Sequence, residues 1–134
     1  MLNVDKSTVT QAVRGIYNAG GSATIDHTSL TNNTELGFLN FGVSDTATGI
    51  ALIQNSTISG NGTTTGTAVT GGIFNGIRTV MTLVNSTVSG NKSPFQGAGV
   101  SNVQALSIYN STITGNLSYD LTGDYAAGIQ SSVN

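Results

Sequence analysis

The chain contains no cysteine, so it can have neither a disulfide framework nor a thiolate metal site. That absence leaves the compartment open, because long continuous cores dispense with disulfides. Charge is the second shortage. Only 7% of residues are charged, against about a quarter in ordinary globular domains. Four basic residues and a net charge of −2 exclude the basic footprint of nucleic-acid binding. They equally exclude attraction to an anionic membrane surface. No apolar run approaches the ~20 residues of a membrane-spanning helix, so no membrane insertion is expected. No basic segment leads into an apolar stretch as in a signal peptide. If the chain is exported, it is expected to be a processed product or a segment of something longer.

A length of 134 residues fits one domain, residues 1–134. With 37% hydrophobic residues and 18 glycines, the polar surface must be carried by Ser, Thr and Asn. These are poor helix formers, whereas Thr, Val and Ile favour strands.

One short phrase recurs through the chain. It reads Leu83-Val84-Asn85-Ser86-Thr87-Val88-Ser89-Gly90-Asn91, and again from Ile53 to Asn61 and from Ile108 to Asn116. Looser copies begin at Ile25 and Val4. A second phrase interleaves with it: Gly, an apolar residue, any residue, then Asn, Asp or Ser. Its copies start at Gly15, Gly42, Gly72, Gly99 and Gly128, with spacings of 27, 30, 27 and 29 residues. The segments 34–41, 62–71, 92–98 and 117–127 vary in length and composition. Fixed spacing in one half of a repeat and looseness in the other is the pattern of a solenoid. Leucine-rich repeats need regular leucines, and a propeller blade needs about 40 residues. A parallel β-helix with three short strands per coil fits, giving about five coils of 27–30 residues, uncapped, with half-coils at both ends.

Period-two alternation then assigns faces. Val9, Leu30, Ile58, Val88 and Ile113 form one inward column, and Val4, Ile25, Ile53, Leu83 and Ile108 a second. Ile16, Val43, Ile73, Val100 and Ile129 are expected as a third. Asparagine recurs at three corners: Asn55, Asn85 and Asn110; Asn33, Asn61, Asn91 and Asn116; and Asn18, Asp45, Asn75 and Asn102. Asn tolerates left-handed backbone, and stacked amides can form a ladder. Gly60, Gly90 and Gly115 allow the sharp turn before the second of these corners. Lys6 and His27 replace the corner Asn in the first copies.

Gly71-Gly72-Ile73-Phe74-Asn75, followed by Leu83 to Asn91, resembles the repeats of bacterial surface right-handed parallel β-helix proteins. It is similar to those of the chlamydial polymorphic outer-membrane proteins and of cyanobacterial surface proteins. The resemblance covers nearly the whole chain. It implies an all-β, right-handed, single-stranded parallel β-helix and an extracellular or cell-surface location in bacteria. Such repeats serve adhesins, autotransporter passengers and carbohydrate-active enzymes alike, so function must be argued from sites.

Candidate chemistry is sparse. Asp5 and Asp26 fall at equivalent positions of adjacent repeats, and carboxylates about 5 Å apart suit a retaining glycosidase. No third acid joins them, since the next equivalents are Gln54, Val84 and Tyr109. Lys6 and His27 beside them balance charge, and His27 reads as a corner substitute rather than a base or ligand. Asp120 and Asp124 offer too few oxygens for calcium. Catalytic residues, metal ligands and cofactors are therefore not expected. Sequons occur at Asn32, Asn55, Asn61, Asn85, Asn91, Asn110 and Asn116, but repeat geometry already demands Asn there. The pairs Thr8/Thr10, Ser29/Thr31, Thr57/Ser59, Thr87/Ser89 and Thr112/Thr114 resemble the hydroxyl ranks of ice-binding solenoids. Phe38, Phe41, Phe95, Tyr119 and Tyr125 in the variable segments are the expected contacts with glycans, cell-surface polymers or a partner.

The chain begins with an initiator-like Met1, opens inside one phrase and stops inside the other. Inside the chain the apolar residue of the glycine phrase leads the first apolar residue of the other phrase by 8 to 10 residues, and joining Ile129 through Asn134 to Val4 of another copy gives a gap of 9. A head-to-tail homopolymer follows as the expectation, with Leu2, Val4, Val9, Ile129 and Val133 at the assembly interface.

Overall fold

The computed structural model describes residues 1–66, 71–95, 97–119 and 127–132. Among these residues every regular element is a strand and none is a helix. The strands lie in three five-stranded sheets, and every strand pairing is parallel. The first sheet orders Leu2–Asp5, Gly21–Asp26, Gly49–Gln54, Thr79–Val84 and Ala105–Tyr109. The second orders Thr8–Thr10, Ser29–Thr31, Thr57–Ser59, Thr87–Ser89 and Thr112–Thr114. The third orders Arg14–Ala19, Leu36–Phe41, Ile73–Asn75, Val100–Asn102 and Ile129–Ser131. Lys92–Ser93 and Leu117–Ser118 add a short pairing beside the second sheet. The chain visits the three sheets in turn and repeats the visit, so each strand pairs with its counterpart in the next repeat.

That connectivity explains the alternation of side chains. In the second sheet Val9, Leu30, Ile58, Val88 and Ile113 stand in one register row. In the first, Val4, Ile25, Ile53, Leu83 and Ile108 do the same. Ala23, Ala51 and Met81 lie two residues earlier on the same inward face. These residues and the inward row of the third sheet pack into one apolar core.

The third row differs from expectation at one repeat. Ile16 pairs with Phe38, not Val43, and Phe38 pairs with Ile73. The second copy of the glycine phrase is thus Gly37-Phe38-Leu39-Asn40, and after the buried Gly42 the residues Val43, Ser44 and Asp45 form an exposed excursion between the third and first sheets. Phe38 is fully buried, whereas Val43 is 56% exposed. Phe38 is therefore a core residue and not a partner contact. Both phrases satisfy the same pattern, and two physical differences choose between them. Phenylalanine buries more apolar surface than valine. An Asn at the corner can both donate and accept, whereas Asp45 would bring an unpaired charge into the core edge. Asp45 instead pairs with Arg78 at the surface.

Glycine is required in this row by close approach rather than by backbone angle. A Cβ on Gly72 would lie 2.3 Å from the carbonyl oxygen of Gly99, and one on Gly99 would lie 2.4 Å from that of Gly128. The reassigned row predicts a contrast. Phe38→Ala is expected to cost about 3–5 kcal/mol, while Val43→Ala stays within about 0.5 kcal/mol. Denaturant midpoints of the two variants measure this.

Candidate assembly edges and polar ladders

The corners divide their work between neighbouring residues. Lys6, His27, Asn55, Asn85 and Asn110 adopt left-handed backbone, with φ between 45° and 50°. At the next corner the left-handed residues are Gln11, Asn32, Gly60, Gly90 and Gly115. Asn33, Asn61 and Asn91, one residue later, turn their amides inward and are buried.

Those buried amides form a one-way ladder. The backbone N–H and Nδ2 of Asn33 both donate to Asn61 Oδ1, at 3.0 and 2.9 Å. Asn61 donates in the same way to Asn91, and Asn91 to Asn116. Each Nδ2 also reaches back to a carbonyl of the preceding repeat, as Asn91 does to Ile58 at 3.0 Å. A second ladder runs Asn18, Asn40, Asn75, Asn102, with Nδ2 of each donating to Oδ1 of the next at 2.8–3.0 Å. Asn102 Nδ2 then donates to Ser131 Oγ at 3.1 Å. By contrast, Asn55, Asn85 and Asn110 lie at the surface. Their one direct contact, Asn85 Nδ2 to Asn55 Oδ1, is a long 3.4 Å.

A third ladder was not anticipated. Thr28, Ser56 and Ser86 are buried. Their hydroxyls donate to the carbonyl two residues back, for example Ser56 to Gln54 at 2.6 Å. Each hydroxyl oxygen accepts from the backbone of the previous repeat: Ser7 N to Thr28, Thr28 N to Ser56, Ser56 N to Ser86 and Ser86 N to Ser111. The signal was a hydroxyl residue directly after the left-handed corner in every repeat. It was hidden among the many other Ser and Thr residues.

These ladders leave complementary edges. Among the described residues, Leu2–Asp5, Thr8–Thr10 and Arg14–Ala19 have a partner strand on one side only, as do Ala105–Tyr109, Thr112–Thr114 and Ile129–Ser131 at the opposite end. Val4 and Val9 are half-buried, and Leu2 is exposed, at one edge. Leu106, Ile108 and Ile113 are half-buried, and Ile129 is exposed, at the other. Val133, expected beside Ile129, lies outside the described residues.

The aromatic residues do not converge on one site. Phe38 is in the core, and Phe41 is half-buried over Gly76. Phe95 and Tyr119 are exposed on adjoining repeats, where the Ser118 hydroxyl donates to the Phe95 carbonyl and Tyr119 N–H to that of Ser93. Tyr125, Asp120 and Asp124 lie outside the described residues.

Asp5 and Asp26 are register partners, as the repeat spacing implied. Asp26 accepts from Gln54 Nε2 and Asn55 Nδ2, each at 2.9 Å, and lies 2.8 Å from His27 Nδ1. The hydrogen bonds from Asn55 and Gln54 hold its carboxyl below the usual carboxylate range, with the His27 charge adding to them. Asp5 lies 3.8 Å from His27 Nδ1.

The burial of the inner ladder predicts unequal responses. Asn61→Ala strips the acceptor from two donors of Asn33 and is expected to cost at least about 2 kcal/mol. Asn85→Gly, at an exposed left-handed corner, is expected to stay within about 0.5 kcal/mol. Chemical denaturation of both variants checks the difference. No family of proteins, no curated protein and no solved structure matches this chain.

Proposed function

We propose that the three sheets wind as a right-handed parallel β-helix, and that this chain is a structural subunit of a bacterial extracellular or cell-surface filament. Subunits stack head to tail through their open edges. The observation that supports this most is the one-way polarity of the ladders. Among the described residues, Ser111 N–H has no hydroxyl acceptor beyond it, and Ser7 Oγ at the other edge accepts no ladder bond. Ser131 hydroxyl and Asn18 Oδ1 are similarly complementary. A second copy stacked in register would continue both ladders, and would set Val4, Val9 and Ile16 over Ile108, Ile113 and Ile129. Backbone pairing along three strand edges supplies cohesion, as in strand addition, and the contact is heterologous and need not close.

The ladder of Asn33, Asn61, Asn91 and Asn116 has a gap at this junction. Ala12 occupies the position that Asn33 fills one repeat later, and Ala12 N–H donates to Asn33 Oδ1 at 3.1 Å. In a stack, Asn116 would meet Ala12 and find no side-chain acceptor. Two consequences follow. The purified chain is expected to form long thin fibres at neutral pH, with little dependence on salt because few charges exist to be screened, and electron microscopy checks this. Monodisperse single particles at all concentrations would overturn the reading. Ala12→Asn restores the missing acceptor and is expected to lower the concentration needed for assembly about tenfold, by adding about 1.4 kcal/mol per junction.

A second reading is favoured by Phe95, Leu117 and Tyr119, which are each exposed by more than 40%. They suit an adhesive surface that stacks on sugar rings. On this reading Tyr119→Ala weakens binding to insoluble cell-wall polysaccharide in a sedimentation assay and leaves fibres intact.

A further inference from the structure

Two aspartates stand directly opposite each other where the remaining repeats carry Gln54, Val84 and Tyr109. Like charges in direct cross-strand register are destabilising. Asp26 is held by three neighbours. Asp5 has no side-chain hydrogen bond among the described residues, and the imidazole of His27 lies 3.8 Å away. One carboxylate of the pair is thus left uncompensated.

We propose that Asp5, Asp26 and His27 bind a divalent transition-metal ion, zinc being the best fit. One carboxylate oxygen from each aspartate and one imidazole nitrogen lie within 4.8 Å of one another. An ion about 2.0–2.2 Å from each donor requires the three to draw in by side-chain rotation alone. All three side chains are at least partly exposed, so that rotation meets no packed core. The nitrogen donor selects zinc-like ions over magnesium or calcium, which prefer more numerous all-oxygen ligands. Gln54 and Asn55 act as the outer partners that fix the Asp26 carboxylate. His27 would bind through Nδ1 in its neutral form, releasing a proton if it was charged, and a water would complete a tetrahedral set. Two carboxylates and one divalent ion then balance. This site does not depend on the assembly reading, since all three ligands come from the first two repeats of one chain.

The test uses the untagged full chain and titrates cobalt(II), followed by its visible absorption, with zinc as competitor. The repeat supplies substitutions that keep the fold. His27→Asn copies the corner at Asn55 and tolerates the φ of 45°, and Asp5→Gln copies Gln54. The expected result is one equivalent of cobalt bound by the natural chain, displaced by zinc, and at least tenfold weaker binding in each variant with circular dichroism unchanged. Absence of saturable binding, or equal binding in both variants, would overturn the proposal.

Discussion

Each strand side chain described stands about one strand spacing, about 4.8 Å, above its register partner in the next repeat. That in-register stacking is the constraint on which the composition depends. Like must tolerate like. Aliphatic side chains interdigitate, hydroxyls and amides can both donate and accept, and glycine leaves room for the next carbonyl. Charged side chains can do none of this with their own kind, and a stack of them would repel at each step. The 7% charged content is the result, and the few ion pairs lie at the surface.

The same constraint explains what could be read in advance. The rows through Val9 and through Val4 were legible because each repeat phrase carries its own spacing, and the hydroxyl residues on either side fix the phase. The third row misled at one repeat because Gly37-Phe38-Leu39-Asn40 and Gly42-Val43-Ser44-Asp45 are equivalent as patterns. Only volume and the donor capacity of the corner residue separate them, and those matter once the core has a size. The adjacency of Asp5 and Asp26 was legible from repeat position alone. Its meaning was not, because the position of the His27 ring depends on a corner conformation that one sequence does not specify.

Asparagine carried the strongest signal and the most mixed meaning. At Asn55, Asn85 and Asn110 its value is conformational, since it accepts left-handed backbone at the surface. At Asn61 and Asn91 the preceding glycine supplies that backbone, and the amide is free to satisfy buried polar groups. The sequons split accordingly. Asn61 and Asn91 are fully buried inside a ladder, where a glycan has no room. Asn55, Asn85 and Asn110 stand one above another, so neighbouring glycans would collide.

The one-way ladders also give the molecule an electrical direction. Strand dipoles in a sheet largely cancel, so the sheets contribute little along the stack. The side-chain amides do not cancel. Each Asn in the two ladders points one amide N–H toward the later repeat and its carbonyl oxygen toward the earlier one. Summed over the stack, they make the edge at Val4 the negative pole and the edge at Ile108 the positive one. Under the proposed assembly, opposite poles would attract when copies align and repel when one is reversed, so the ladders would favour parallel over antiparallel stacking before any strand has paired. The negative pole is also the end where Asp5 and Asp26 face each other, so the dipole adds to the pull their own charges exert on a cation.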